Sequence, residues 1–146
     1  MRSAARCTAL GVATAAAVAA GILGSAPAHA ADGNTKTTLY TLAGSGACAG
    51  QIDVGVGHYP GQATLFLGST LYGVGSCSVD LTYTFTPRNG GPAKSFTRHI
   101  PGPGFFSTSK DVVSPGPADI YDVTVSTNAP HTGAQPMTID IQRYQG

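Results

Sequence analysis

The stretch of sequence that decides the fold is SVDLTYTFT, residues 78–86. Every second residue from Val79 to Phe85 is apolar, and the residues between them are Asp or Thr. This period of two is typical of a β-strand with one buried and one solvated face. Three further segments alternate in the same way: Ile52–His58, Tyr121–Ser126 and Met137–Gln142.

Four more segments have the composition of strands but a mixed pattern, which favours edge positions in a sheet. They are Thr35–Leu42, Ala63–Leu71, Ala93–Ile100 and Phe105–Val113. Pro60-Gly61 predicts a type II turn and Asn89-Gly90 a hairpin turn. All seven acidic residues are Asp, and Thr is frequent, so the composition also disfavours helices. We therefore expect an all-β chain that folds as a single antiparallel β-sandwich of about seven to eight strands, with a small barrel as the alternative.

One segment carries a resemblance to a known class of domain. Residues 114–125, SPGPADIYDVTV, resemble the penultimate strand of bacterial immunoglobulin-like and fibronectin-like modules, in which a Pro-Gly turn precedes Tyr-x-Val-x-Val. The resemblance implies an immunoglobulin-like sandwich with Tyr121 as a tyrosine corner, its hydroxyl bonding back to the preceding turn. The chain departs from antibody-type domains in having no Trp, and in having Val123 where a Cys would stand.

The N-terminus has the three parts of a cleavable secretory signal peptide. Arg2 and Arg6 precede an almost uncharged apolar run over 7–24, and Ala28-His29-Ala30 is a small-x-small cleavage site. A membrane anchor is the alternative, but Ala predominates in the run and Gly and Pro interrupt it. We expect residues 1–30 to be removed, leaving 31–146 as one secreted domain without a stable membrane anchor.

Loss of the two arginines would lower the formal net charge from +1 to about −1. A chain with so little net charge, and without a basic cluster, is not expected to bind nucleic acid.

Cleavage would also leave two cysteines, Cys48 and Cys77, and an exported chain with two cysteines favours a disulfide. If every connection reverses the chain, both residues fall at the same end of the sandwich. Free thiols or a redox pair are the alternative, although the sequence has no Cys-x-x-Cys motif.

The same alternation places two loops beside this disulfide. One contains His99 and the adjacent pair Phe105 and Phe106, and the other contains His131. Adjacent strand residues point to opposite faces, so one Phe is expected in the core and the other exposed as a binding anchor. Alternatively, both rings close the end of the core. Gly-rich stretches at 54–57 and 72–75 predict either a shallow binding trough or bare backbone covered by a cross-strand Tyr.

No catalytic motif, metal-ligand spacing or phosphate-binding loop is found, and no catalytic residue, metal or cofactor is predicted. We predict a secreted, non-catalytic binding module for an extracellular protein, a glycan or a small apolar ligand, with Phe105, Phe106, His131 and His99 as candidate ligand-binding residues. The alternative is a small hydrolase or metal-dependent enzyme whose site is assembled from loops. The sequence does not determine the oligomeric state.

Overall fold

The computed structural model describes residues 35–43 and 47–143, which form nine strands in two antiparallel sheets. The strands are β1 (Lys36–Ala43), β2 (Cys48–Tyr59), β3 (Gln62–Gly73), β4 (Cys77–Pro87), β5 (Lys94–Gly102), β6 (Gly104–Val113), β7 (Asp119–Thr127), β8 (His131–Thr132) and β9 (Met137–Ile141). The predicted all-β sandwich is confirmed. Within the described residues there is no helix long and apolar enough to cross a membrane. The predicted signal peptide lies outside them.

The strand order is β6-β3-β2-β1-β8 in the five-stranded sheet and β5-β4-β7-β9 in the four-stranded sheet. The inward faces of both sheets contribute to one core. In β4 the alternation holds as predicted, because Val79, Leu81, Tyr83 and Phe85 are all fully buried. Burial of these alternating side chains is the main source of stability in such a sandwich.

Aromatic contacts connect the strands of the four-stranded sheet within the core. The Phe85 ring meets Phe96 and Tyr121 edge to face, with centroids 5.8 and 6.2 Å away. The Tyr83 hydroxyl crosses the core to donate to the Phe66 carbonyl at 2.9 Å, at the point where the register between β3 and β6 shifts. Burial raises the pKa of Tyr83, so the hydroxyl stays protonated and remains a donor.

The turn before β7 is closed by a side chain of that strand. The buried Tyr121 hydroxyl donates to the Pro117 carbonyl at 2.7 Å, and burial raises its pKa. This is the contact that a tyrosine corner makes.

All eight predicted strands are present, but two of the weaker ones lie at positions that the sequence pattern did not indicate. β5 and β6 are edge strands, as expected, whereas β1 and β3 are internal. β1 gains its second neighbour from β8, a two-residue strand that was not predicted. The edge assignment of β1 and β3 was wrong because their mixed patterns have another origin. Their outward faces carry large apolar residues such as Tyr40 and Phe66.

The two predicted turns are formed. Gly61 has φ 74° between β2 and β3, and Gly90 has φ 86° between β4 and β5. Such positive values are accessible to Gly without steric strain.

The predicted disulfide is also formed, and it joins the two sheets. Cys48 starts β2 in one sheet and Cys77 starts β4 in the other, with Cα atoms 6.2 Å apart. Two glycines leave room for the sulfurs: a Cβ at Gly73 would lie 2.5 Å from Cys48 Sγ, and one at Gly102 would lie 3.0 Å from Cys77 Sγ. We call this end of the sandwich the disulfide end.

Candidate functional site

An exposed apolar surface covers the outer side of the five-stranded sheet at the disulfide end. Four large side chains are at least half exposed there: Tyr40 56%, Leu42 50%, Tyr72 73% and Phe105 75%. We call these four residues the aromatic face. Folded domains usually bury side chains of this size, so several of them on one surface mark a candidate interaction site.

Strand alternation produces this surface. In β1 the buried residues Leu39 and Thr41 point inward, so Tyr40 and Leu42 point outward. Leu42 pairs with Ala49, which in turn pairs with Tyr72. Because Ala49 is small, the surface between the larger side chains is a shallow depression.

Hydrogen bonds fix the loop at the edge of this depression. The Pro130 carbonyl accepts from the Leu42 amide at 3.0 Å and from the Thr41 hydroxyl at 3.1 Å. The His131 Nδ1 lies 3.1 Å from both the Thr127 hydroxyl and the Ala129 carbonyl. Pro130 and His131 therefore line the depression as ordered elements of the fold.

Next to the aromatic face, three polar side chains share hydrogen bonds on the same outer surface. The Thr38 hydroxyl donates to Asp53 Oδ1 at 2.6 Å, and Gln51 Nε2 lies 2.9 Å from each carboxylate oxygen of Asp53. We call Thr38, Gln51 and Asp53 the polar centre. Its connection to the aromatic face is direct, because Gln51 is the cross-strand partner of Tyr40.

The surface continues beyond the polar centre as a trough whose bottom is formed by glycine residues. Gly55 and Gly68 line it together with Asp53 and Phe66. The Phe66 ring lies over the neighbouring Gly57, since a Cβ there would be 3.0 Å from the ring. An aromatic side chain thus covers bare backbone, but it is Phe66 and not one of the tyrosines suggested by the sequence.

The candidate residues from the sequence occupy different places. Phe105 is exposed in the aromatic face, whereas Phe106 is partly buried against the core. His131 lies on β8 at the opposite edge of the same sheet from Phe105, four inter-strand spacings or about 19 Å away. The disulfide end is therefore common to these residues, but they do not form one cluster.

His99 lies on the other side of the molecule. It pairs with Asp80 on the outer face of the four-stranded sheet, with His99 Nδ1 2.8 Å from Asp80 Oδ1. Asn128 Nδ2 is 3.3 Å from the second carboxylate oxygen. The assumption that every connection reverses the chain predicted the correct end of the sandwich for His99, but it did not predict which sheet contains this residue.

The sequence interpretation missed Tyr40, Leu42 and Gln51. The signal that could have identified Tyr40 and Leu42 was the mixed pattern in β1, because apolar residues at both odd and even positions indicate a strand with a buried face and an exposed apolar face. Gln51 lies on β2, and this signal does not extend to it.

No group of three or more potential metal ligands is present among the residues that the structure describes. In comparisons with known proteins, no protein family, no curated protein and no solved structure matches this chain.

Proposed function

We propose that this chain is an exported, non-catalytic binding module whose binding surface is the aromatic face. The observation that supports the proposal is the exposure of four large side chains on one side of a regular sheet at the disulfide end. Covering apolar surface yields about 25 cal/mol per Å² removed from water, and Tyr is enriched among residues that dominate binding energy. The ligand is an extracellular protein, a glycan or a small apolar molecule.

The rigidity of the surface supports this function. Tyr40, Leu42 and Tyr72 lie on internal strands, and Phe105 lies on β6, which pairs with β3. The disulfide holds β2 and β4 together at this end. A preorganised surface loses little conformational entropy on binding, so more of the contact energy appears as affinity.

Export is part of the proposal. The N-terminal sequence supports it, and so does the disulfide, because such bonds persist mainly in oxidising compartments. Intact-mass measurement of protein recovered from the medium would show Ala31 as the first residue.

We also propose an immunoglobulin-like topology. In the order β5-β4-β7-β9, the strand β7 that carries Tyr121 lies between β4, which precedes it in the chain, and β9, which follows it. In the immunoglobulin fold the strand with the tyrosine corner likewise lies between an earlier and a later strand of its sheet. The Tyr121 bond supports this assignment. The disulfide differs from the antibody pattern, because it joins the starts of β2 and β4.

The binding surface can be tested with purified, oxidised protein comprising residues 31–146, immobilised and exposed to a defined panel. The panel contains neutral oligosaccharides, two serine proteases and an apolar fluorescent dye. We expect at least one member to bind, and binding to weaken roughly tenfold in Tyr72→Ser and in Phe105→Ser. Tyr59→Ser is the matched control, because Tyr59 is 56% exposed on the same sheet but lies at the opposite end. Binding that is equal in all variants, or absent throughout the panel, would contradict the proposal.

A further inference from the structure

The polar centre indicates what kind of ligand the surface accepts. Thr38 and Gln51 together direct three contacts at the Asp53 carboxylate, two of them at Oδ1. A carboxylate has about four acceptor positions, so Oδ2 retains one, and the Gln51 side-chain oxygen is a further acceptor. The centre is thus held by its own bonds and still offers acceptors to a ligand.

Hydroxyl groups lie on the other side of this centre. Thr70 pairs with Gln51, and Ser107 pairs with Gly68, which itself pairs with Asp53. Side chains at these positions share one face, because residues directly opposite in a sheet point the same way. The surface around Asp53 therefore combines acceptors with groups that can both donate and accept.

The backbone leaves open space beside the carboxylate. A Cβ built on Gly68 would meet no atom of another residue within 4 Å apart from its chain neighbours. Tyr40 and Phe105 flank Gln51 and Thr70 in one cross-strand row and lie three inter-strand spacings, or about 14 Å, apart. Phe66 borders the opening on its other side. The result is a shallow trough with a polar centre and aromatic sides.

We infer that the ligand is a neutral oligosaccharide chain lying across β1, β2, β3 and β6 of the five-stranded sheet. This inference rests on the proposed function and specifies its ligand. A sugar ring has C–H faces that stack on aromatic rings and an edge of hydroxyls that bond to carboxylate, amide and hydroxyl groups. Both kinds of partner are present on one face: Tyr40 and Phe105 flank the polar residues Gln51 and Thr70 in one cross-strand row, and Asp53 lies on the same face of β2, two residues from Gln51.

Charge and desolvation favour this ligand over the other classes. An apolar molecule or protein patch would cover the aromatic side chains but would remove Asp53 from water without replacing its hydrogen bonds, which is unfavourable. A cationic peptide would be attracted to Asp53, but Lys36 lines the same trough, so the site has one formal charge of each sign. A neutral polyhydroxylated ligand fits both observations.

The test uses the mature, oxidised chain and isothermal titration with the hexasaccharides of β-1,4-glucose, β-1,4-N-acetylglucosamine, β-1,4-xylose and β-1,4-mannose. We expect at least one to bind, with affinity roughly tenfold weaker in Asp53→Ala and in Gln51→Ala, and nearly unaffected by added salt. Asp80→Asn is the matched control and should bind normally, because Asp80 is also bonded by an amide side chain but lies on the other sheet. Unchanged thermal unfolding of the variants excludes loss of the fold.

The outcomes separate this inference from the proposed function. If no hexasaccharide binds, while a protease or the apolar dye binds in a manner that depends on Tyr72 and Phe105, the glycan inference is overturned and the binding surface stands. Binding of hexalysine that needs Asp53 and weakens with salt, without sugar binding, also overturns it in favour of a basic partner. If sugars bind equally well to Asp53→Ala, the polar centre is not the recognition element. If nothing in either panel binds, both proposals fall.

Discussion

Replacement of both Cys48 and Cys77 by Ala is expected to lower the free energy of unfolding by about 4.5 kcal/mol. The bond joins residues 29 positions apart. Closing a loop of this size lowers the entropy of the unfolded chain by about 12 cal/mol/K, or about 3.6 kcal/mol at 25 °C. The remainder, roughly 1 kcal/mol, comes from packing, because both residues are buried and their sulfurs pack against Gly73 and Gly102, which have no side chains to fill the gap.

Urea unfolding followed by far-ultraviolet circular dichroism measures this difference. The double variant should unfold at a lower urea concentration and with a steeper dependence on urea, because its unfolded chain is no longer restrained and exposes more surface. Reductant should shift the wild type toward the variant and leave the variant unchanged. Ser76→Ala provides a control at the same end, since this exposed residue lies directly before Cys77.

A loss below about 1 kcal/mol, together with a wild type that does not respond to reductant, would refute the reasoning. It would mean that side-chain packing in the shared core is enough to hold the two sheets together at the disulfide end. Domains of this size have a total stability of about 5–15 kcal/mol, so the expected loss leaves little margin.

Three further changes test the fold. Tyr121→Phe removes the bond to the turn before β7 and should reduce stability by about 1 kcal/mol in urea unfolding; an unchanged midpoint would show that the turn does not depend on it. Gly50→Ala would place a methyl carbon 2.0 Å from a backbone oxygen of β3 and should lower stability by about 2 kcal/mol or more, whereas Gly68→Ala, which meets open space, should have little effect; similar melting temperatures for the two would contradict this packing. The Arg88 guanidinium holds the pKa of Asp122 below its ordinary value of 3.8, so this carboxylate contributes stability above that pH and loses the contribution as the pH falls through its lowered pKa. Asp122→Asn should therefore be less stable than wild type at pH near 6 and converge with it at strongly acidic pH, as measured by denaturant unfolding; a gap that persists in acid would contradict the assignment.

The fold was predictable where the alternation of polar and apolar residues within a strand shows which of its faces is buried. In β4 the inward and outward residues differ in polarity, so the strand and its buried face follow from the sequence. The two-residue strand β8 has no such signal, because His131 and Thr132 are assigned to a strand only through their pairing with β1. The edge prediction for β1 and β3 failed for a related reason. The sequence pattern shows only whether a residue is polar or apolar, and the exposed Tyr40 and Phe66 are as apolar as buried residues.

The candidate site was predictable only in part. The sequence identified the disulfide end and singled out Phe105 and His131, since chain reversal determines the end at which each loop falls. It did not place Gln51 next to Tyr40, because cross-strand neighbours are fixed by register, and register depends on pairing between segments distant in the chain.

By itself, the sequence determined the all-β class and the positions of the main strands and turns, and it favoured the pairing of Cys48 with Cys77. These follow from residue type, spacing and the direction of the chain. Only the tertiary structure decided that His99 and Phe105 lie on different sheets, that Phe105 is the exposed member of its pair, and that Thr38, Gln51 and Asp53 form one centre. The physical reason is that alternation within a strand shows which of its residues share a face. Which residues of other strands lie beside them depends on the strand order and register of the assembled sheets.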